Sequence, residues 1–100
     1  MKTGAQLIAD ERKRQIESEG WTKEHDAEHE EEQLAIAAMC YACPPLGRML
    51  KFNETKDHAP DMWPWLKLWW KPSPDNRIKE LVKAGALIAA EIDRLQNLNK

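Results

Sequence analysis

Aromatic residues other than tryptophan are almost missing from this chain: one Tyr and one Phe stand against five Trp in 100 residues. Cysteine is scarce too, and Cys40 and Cys43 lie so close together that a bond between them would staple almost nothing. A disulfide-built domain is therefore excluded. The only serines, Ser18 and Ser73, sit in no nucleophile elbow, and neither a phosphate-binding loop nor a dinucleotide fingerprint occurs. No run approaches the roughly 18 apolar residues of a membrane span. An apolar leader with a small-residue cleavage site is also missing, so the expected location is cytoplasmic. Charge of one sign does not dominate: 15 basic and 17 acidic residues leave a formal charge of −2. That balance exerts no global pull toward nucleic acid or an anionic membrane.

What is present is one domain's worth of chain, residues 1–100, with an apolar fraction of 42%. The patterning predicts an all-α fold with three main helices, over about 4–19, 28–43 and 74–98. Thr3 and Gln6 form a capping-box pair ahead of the first, and Gly20 suits its end. The second is acid-rich at its start. It then turns to small apolar residues (Leu34, Ala35, Ala37, Ala38, Cys40 and Ala42) before Pro44 and Pro45 stop it. Ser73 is the expected cap of the last helix, with Pro74 at its first position. Ile78, Leu81, Gly85, Ile88, Ile92 and Leu95 then recur at three- and four-residue spacing. Gly85 inside that pattern costs about 1 kcal/mol relative to Ala, which predicts a close approach by a backbone or a ring. Between the second and third helices lies an ordered Trp- and Pro-rich excursion, with a short helical turn over 46–52 and an exposed loop over 53–60.

Four groupings carry chemistry. His25 and His29, one helical turn apart, together with Asp26, Glu28, Glu31 or Glu32, are a candidate divalent-metal set, set against a plain solvated acidic helix start. The CxxC of Cys40 and Cys43 falls at a helix C-terminus, the wrong end for a redox pair, and reads as buried small residues. Trp63, Trp65, Trp69 and Trp70, with Lys67 and Lys71 beside them, could stack a base and hold its phosphate. Equally, large rings supply core area in a small domain, and about three of the five Trp are expected there. Finally, Arg12 and Arg14 with Trp21, His25 and Asp26 mix charge around one ring in a way that suits a small-ligand pocket or a salt-bridged corner.

The stretches ERKRQ (11–15), EGWT (19–22), EHD (24–26), WPW (63–65) and KAGALI (83–88), with AEIDRL (90–95), resemble a group of small bacteriophage and prophage proteins. The resemblance spans nearly the whole chain. It implies a phage-encoded accessory protein in a bacterial cytoplasm and brings no activity with it. Two fainter likenesses accompany it. Ile16, Gly20, Trp21, Thr22, Asp26 and His29 are similar to positions of ryanodine-receptor repeat domains, without the Tyr-Gly and His-Pro companions. Glu28 and Glu31 make one ExxE of the kind that MazG-type all-α nucleotide pyrophosphatases use to hold magnesium. Glu91 and Asp93 have the wrong spacing for its partner motif.

The expectation is a non-enzymatic binding protein for a small nucleotide-like ligand or a host protein. Arg12, Arg14, Trp21, His25, Asp26, Trp63, Trp65, Trp69 and Lys71 are its candidate contacts. The alternatives are a metal-dependent nucleotide hydrolase on Glu28, His29, Glu31 and Glu32, and an interaction module that forms a homodimer or higher oligomer through its helices.

Overall fold

Local sequence sets the helix boundaries in the computed structural model, which describes residues 1–19 and 32–98. Helix α1 spans Gly4–Glu19. Its start is the expected reciprocal cap: Gln6 N donates to Thr3 Oγ1 at 3.2 Å and Thr3 N donates to Gln6 Oε1 at 2.7 Å. Helix α2 covers Gln33–Ala42. It begins later than the predicted 28 because Glu32, at φ 57°, is left-handed and cannot continue a right-handed helix. Cys43 is extended ahead of Pro44, as a residue before proline tends to be, and ends α2. Pro45 then opens helix α3, Pro45–Phe52, which stops at left-handed Asn53.

Residues 53–76 hold a single antiparallel bridge, Thr55 to His58, and a 3-10 turn at Lys67–Trp69. Helix α4 is Arg77–Leu98, starting three residues after the predicted 74. Asn76, not Ser73, supplies the cap, with Lys79 N donating to Asn76 Oδ1 at 3.1 Å. The Ser73 amide is already committed, because it donates to the Glu80 carboxylate at 3.0 Å. The described residues are thus all-α, and none of their helices is long and apolar enough to cross a membrane.

Helix α4 is the shared support, packing against α2 and against α1. The core joins Leu34, Ala37, Ala38 and Tyr41 of α2 to Ala84, Leu87 and Ala90 of α4, with Trp63, Trp65 and Trp70 laid against it. The alanines let the two helix backbones approach closely, as the small-residue pattern predicts. The buried stripe of α4 is Glu80, Ala84, Leu87, Glu91 and Arg94, however, and not its aliphatic one.

Where α1 crosses α4, Gly85 is needed for space. A Cβ at this position would lie 2.5 Å from Ile8 Cδ1 and 2.8 Å from Ile8 Cγ1, so an aliphatic side chain takes the room expected for a backbone or ring. Gly85→Ala is expected to lose about 1 kcal/mol, because overpacking of about 1–3 kcal/mol outweighs the gain in helix propensity. With Ile8→Ala in the background, the same substitution should turn stabilising. Urea melts of the four-member cycle check this, and a stabilising Gly85→Ala in the parent chain would contradict it.

Candidate functional site

The end of α2 gathers two arginines, two glutamates and the clustered aromatic rings. A helix C-terminus leaves carbonyls without intrahelical partners and carries the negative end of the helix dipole. Two arginines answer it. Arg48 of α3 points Nη1 at the carbonyls of Cys43 (2.9 Å) and Cys40 (3.3 Å). Arg77, at the head of α4, donates through Nη1 to Tyr41 O at 2.9 Å and through Nη2 to Ala42 O.

Glu80 binds the two arginines together. Its Oε2 accepts from Arg48 Nη2 at 2.7 Å and its Oε1 from Arg77 Nη1 at 3.0 Å. Glu54 completes the set, accepting from Arg48 Nε at 3.3 Å and from Trp70 Nε1 at 2.9 Å. Arg48 and Glu80 have side chains only 1% and 0% exposed. Two guanidinium groups thus face two carboxylates, and every carboxylate oxygen has a donor. A polar network so fully satisfied specifies one packing arrangement.

The rings build outward from this node. Arg48 Cζ sits 5.2 Å from the Trp70 ring centroid. Trp70 leans on Tyr41 at 4.6 Å, and Trp63 meets Tyr41, Trp65 and Trp70 at centroid distances of 5.7, 5.3 and 5.0 Å. Tyr41 holds the strap down by accepting the Lys71 amide at its hydroxyl, 3.2 Å away. Lys83 Nζ donates to Lys71 O at 2.9 Å and lies 5.4 Å from the Tyr41 ring. Three of the four clustered tryptophans are therefore half-buried packing rings. Trp69, the last residue of the 3-10 turn, is 51% exposed, while Trp70, extended just after it, is half-buried.

A groove of about 700 Å3 opens beside this node. Pro45, Leu46 and Met49 of α3 form one wall, and Lys67, Trp70 and Pro72 another. Arg48 and Glu54 lie at its edge, with Lys56 and His58 from the intervening loop. The loop is pinned by Asp61, which accepts from Asn53 Nδ2 at 2.6 Å and pairs with His58 Nε2 at 2.9 Å. These contacts hold the Asp61 carboxyl below its ordinary value, His58 first and Asn53 second.

The sequence grouping of Arg12 and Arg14 with Trp21, His25 and Asp26 reaches outside the described residues, and within them the two arginines have the following partners. Arg12 is buried between α1 and α4, with Nη2 3.3 Å from Asp93 Oδ2. Arg14 is chelated by Glu11 one turn away, at 2.7 and 2.8 Å. That bond, with the charge of Arg14, draws the Glu11 carboxyl below its usual range against the opposing effect of burial. Its contribution to stability is present above the unfolded-state value and is lost as pH falls through the folded one. The tryptophans gather instead on the α2 side of α4. Of the predicted contacts, Trp63 and Trp65 belong to the ring cluster, while Trp69 and Lys71 are exposed beside it.

Trp21, His25 and Asp26 lie outside the described residues, as do Glu28, His29 and Glu31 of the metal set. Glu32 is exposed at the start of α2. Among the described residues no group of three His, Cys, Asp or Glu side chains could hold a metal ion. Cys40 is buried, and burial, with Cys43 adding to it, pushes its thiol up to about 12. It therefore stays protonated at neutral pH, which fits the reading of the CxxC as packing residues.

Arg48, Glu54, Arg77 and Glu80 did not stand out in the sequence. The available signal was Arg48 in a short helix following a proline-ended one, with no acidic residue one turn away. No protein-family model matches this chain, and no curated protein or solved structure matches it.

Proposed function

We propose that the chain is a small accessory binding protein that holds a nucleotide-like ligand in the groove beside Trp70. The single observation behind this reading is the content of that groove. A space of about 700 Å3 combines an aromatic edge with Lys56, Lys67 and His58 around it, alongside the carboxylates of Glu54 and Asp57. Ligand sites fall in this size range, and they pair apolar walls with a few polar groups. An aromatic ring suits a base, and lysine suits a phosphate. Trp69 and Lys71, exposed next to the groove, extend the same chemistry. The resemblance to phage and prophage proteins supports a bacterial cytoplasm as the setting and an accessory role there.

Tryptophan emission, followed during titration with mono-, tri- and cyclic nucleotides, tests this. Binding should quench or shift the emission, and the paired change Lys56→Glu and Lys67→Glu should weaken it at least 10-fold with helix content unchanged. No change in emission and no heat of binding across the panel would end the ligand reading. A host protein would then be the better partner, because Leu46 of the groove, with Leu50, Leu66 and Leu68 of α3 and the excursion, stands exposed.

A further inference from the structure

The groove beside Trp70 is lined by charges of both signs, and some of them are already committed inside the protein. Arg48 donates to Glu54, Glu80 and the carbonyls at the end of α2, and Glu54 accepts from Arg48 and Trp70. With Arg77 and Glu80 these two form a node of two cations and two anions, neutral as a whole. His58 pairs with Asp61 at 2.9 Å, so its proton, when present, is matched by a carboxylate. Lys56, Asp57 and Lys67 remain. All three line the groove, are exposed and have no ion-pair partner among the described residues.

Two lysines against one aspartate leave a single net positive charge on the lining. Lys71, exposed beside it, raises the balance to two. A phosphomonoester carries about −1.5 to −2 at neutral pH, which that balance meets. Each further phosphate adds about one more negative charge, unmatched and brought toward Asp57. A space of about 700 Å3 has room for either ligand, so charge and not size decides. Resting on the reading of this groove as a nucleotide site, we infer that it selects nucleotides bearing one phosphate and that Asp57 turns triphosphates away. A like charge set against a ligand discriminates as a missing contact does. Asp57 is placed for that role, because its backbone amide donates to Thr55 Oγ1 at 3.2 Å and fixes it in the loop. Its carboxylate makes no such bond, so Asp57→Asn removes the charge and keeps the turn.

Calorimetric titration tests this with the nucleoside, 5′-monophosphate and 5′-triphosphate of each common base, at low salt and without divalent metal. The best-bound monophosphate should exceed both its nucleoside and its triphosphate by about 10-fold. Asp57→Asn should reduce the preference for monophosphate over triphosphate by about 3-fold or more, with helical circular dichroism unchanged. If that variant loses its fold, the parent chain at about 0.5 M salt decides, because screening of exposed charges should shrink the same preference. A triphosphate bound as tightly as its monophosphate overturns the inference and leaves the groove standing as a nucleotide site. A nucleoside equal to its monophosphate does the same, as does a preference that neither Asp57→Asn nor salt alters. Binding of no member of the series overturns both.

Discussion

Glu80→Ala is expected to cost about 3–5 kcal/mol, because it strands a guanidinium that water cannot reach. Arg48 would keep Glu54 and the carbonyls of α2 but lose its shortest charged contact, at 2.7 Å, and Arg77 would lose the carboxylate 3.0 Å away. The amide of Ser73 would be left without its acceptor as well. A domain of this size has only about 5–15 kcal/mol in hand. The melting temperature should accordingly fall by roughly 15–30 °C. Arg48→Met combined with Glu80→Leu should lose less than either single change, since removing both charges removes the stranded one. Thermal and urea melts followed by circular dichroism, all at one protein concentration, are the measurement. A loss under 1 kcal/mol for Glu80→Ala would mean that the carboxylate is solvated and the node does not hold the helices together.

The second large effect belongs to Trp63. It touches Tyr41, Trp65 and Trp70 at once, so its removal leaves a gap in the middle of the ring cluster. Trp63→Ala should cost about 3 kcal/mol, the low end for a large aromatic, because the ring is half-buried and not enclosed. Near-ultraviolet circular dichroism should collapse with it, since that signal reports rings held at fixed angles. Trp69→Ala is the control: an exposed ring should change stability by no more than about 0.5 kcal/mol. Equal losses for the two substitutions would contradict the placement of Trp63 inside the cluster and Trp69 outside it. Because Trp63 supports Trp70, its loss should also weaken any ligand in the groove.

These two residues mark different limits of sequence reasoning. Area led to the expectation that about three of the five tryptophans pack, since five buried rings overfill a domain with such thin apolar stripes; three of the four described ones lie against the core. Which one stays out depended on the chain path at the end of the 3-10 turn, where Trp69 closes the turn and Trp70 is already extended. Glu80 offered less. On the helix it sits between Lys79 and Leu81 and looks like any solvated carboxylate. Its burial depends on Arg48 and Arg77 arriving from two other parts of the chain. Arg12 and Arg14 were drawn toward a ligand by type and proximity in sequence. Among the described residues Arg12 pairs with Asp93, 81 residues away, and Arg14 with Glu11, one turn away.

By itself the sequence determined the local elements. The Thr3–Gln6 capping box, the stop and restart at Pro44 and Pro45 and the long last helix all arise from bonds and clashes reaching no further than about four residues. It also determined the small-residue surface of α2, because alanine permits close approach whatever the partner. Tertiary structure alone decided which stripe of α4 faces inward. Both stripes repeat with the same period, and hydrophobicity favours the aliphatic one. The polar stripe is buried instead, because Arg48 and Arg77 satisfy Glu80 while Ala84 and Ala90 admit α2. That choice leaves Ile88 and its neighbours facing outward.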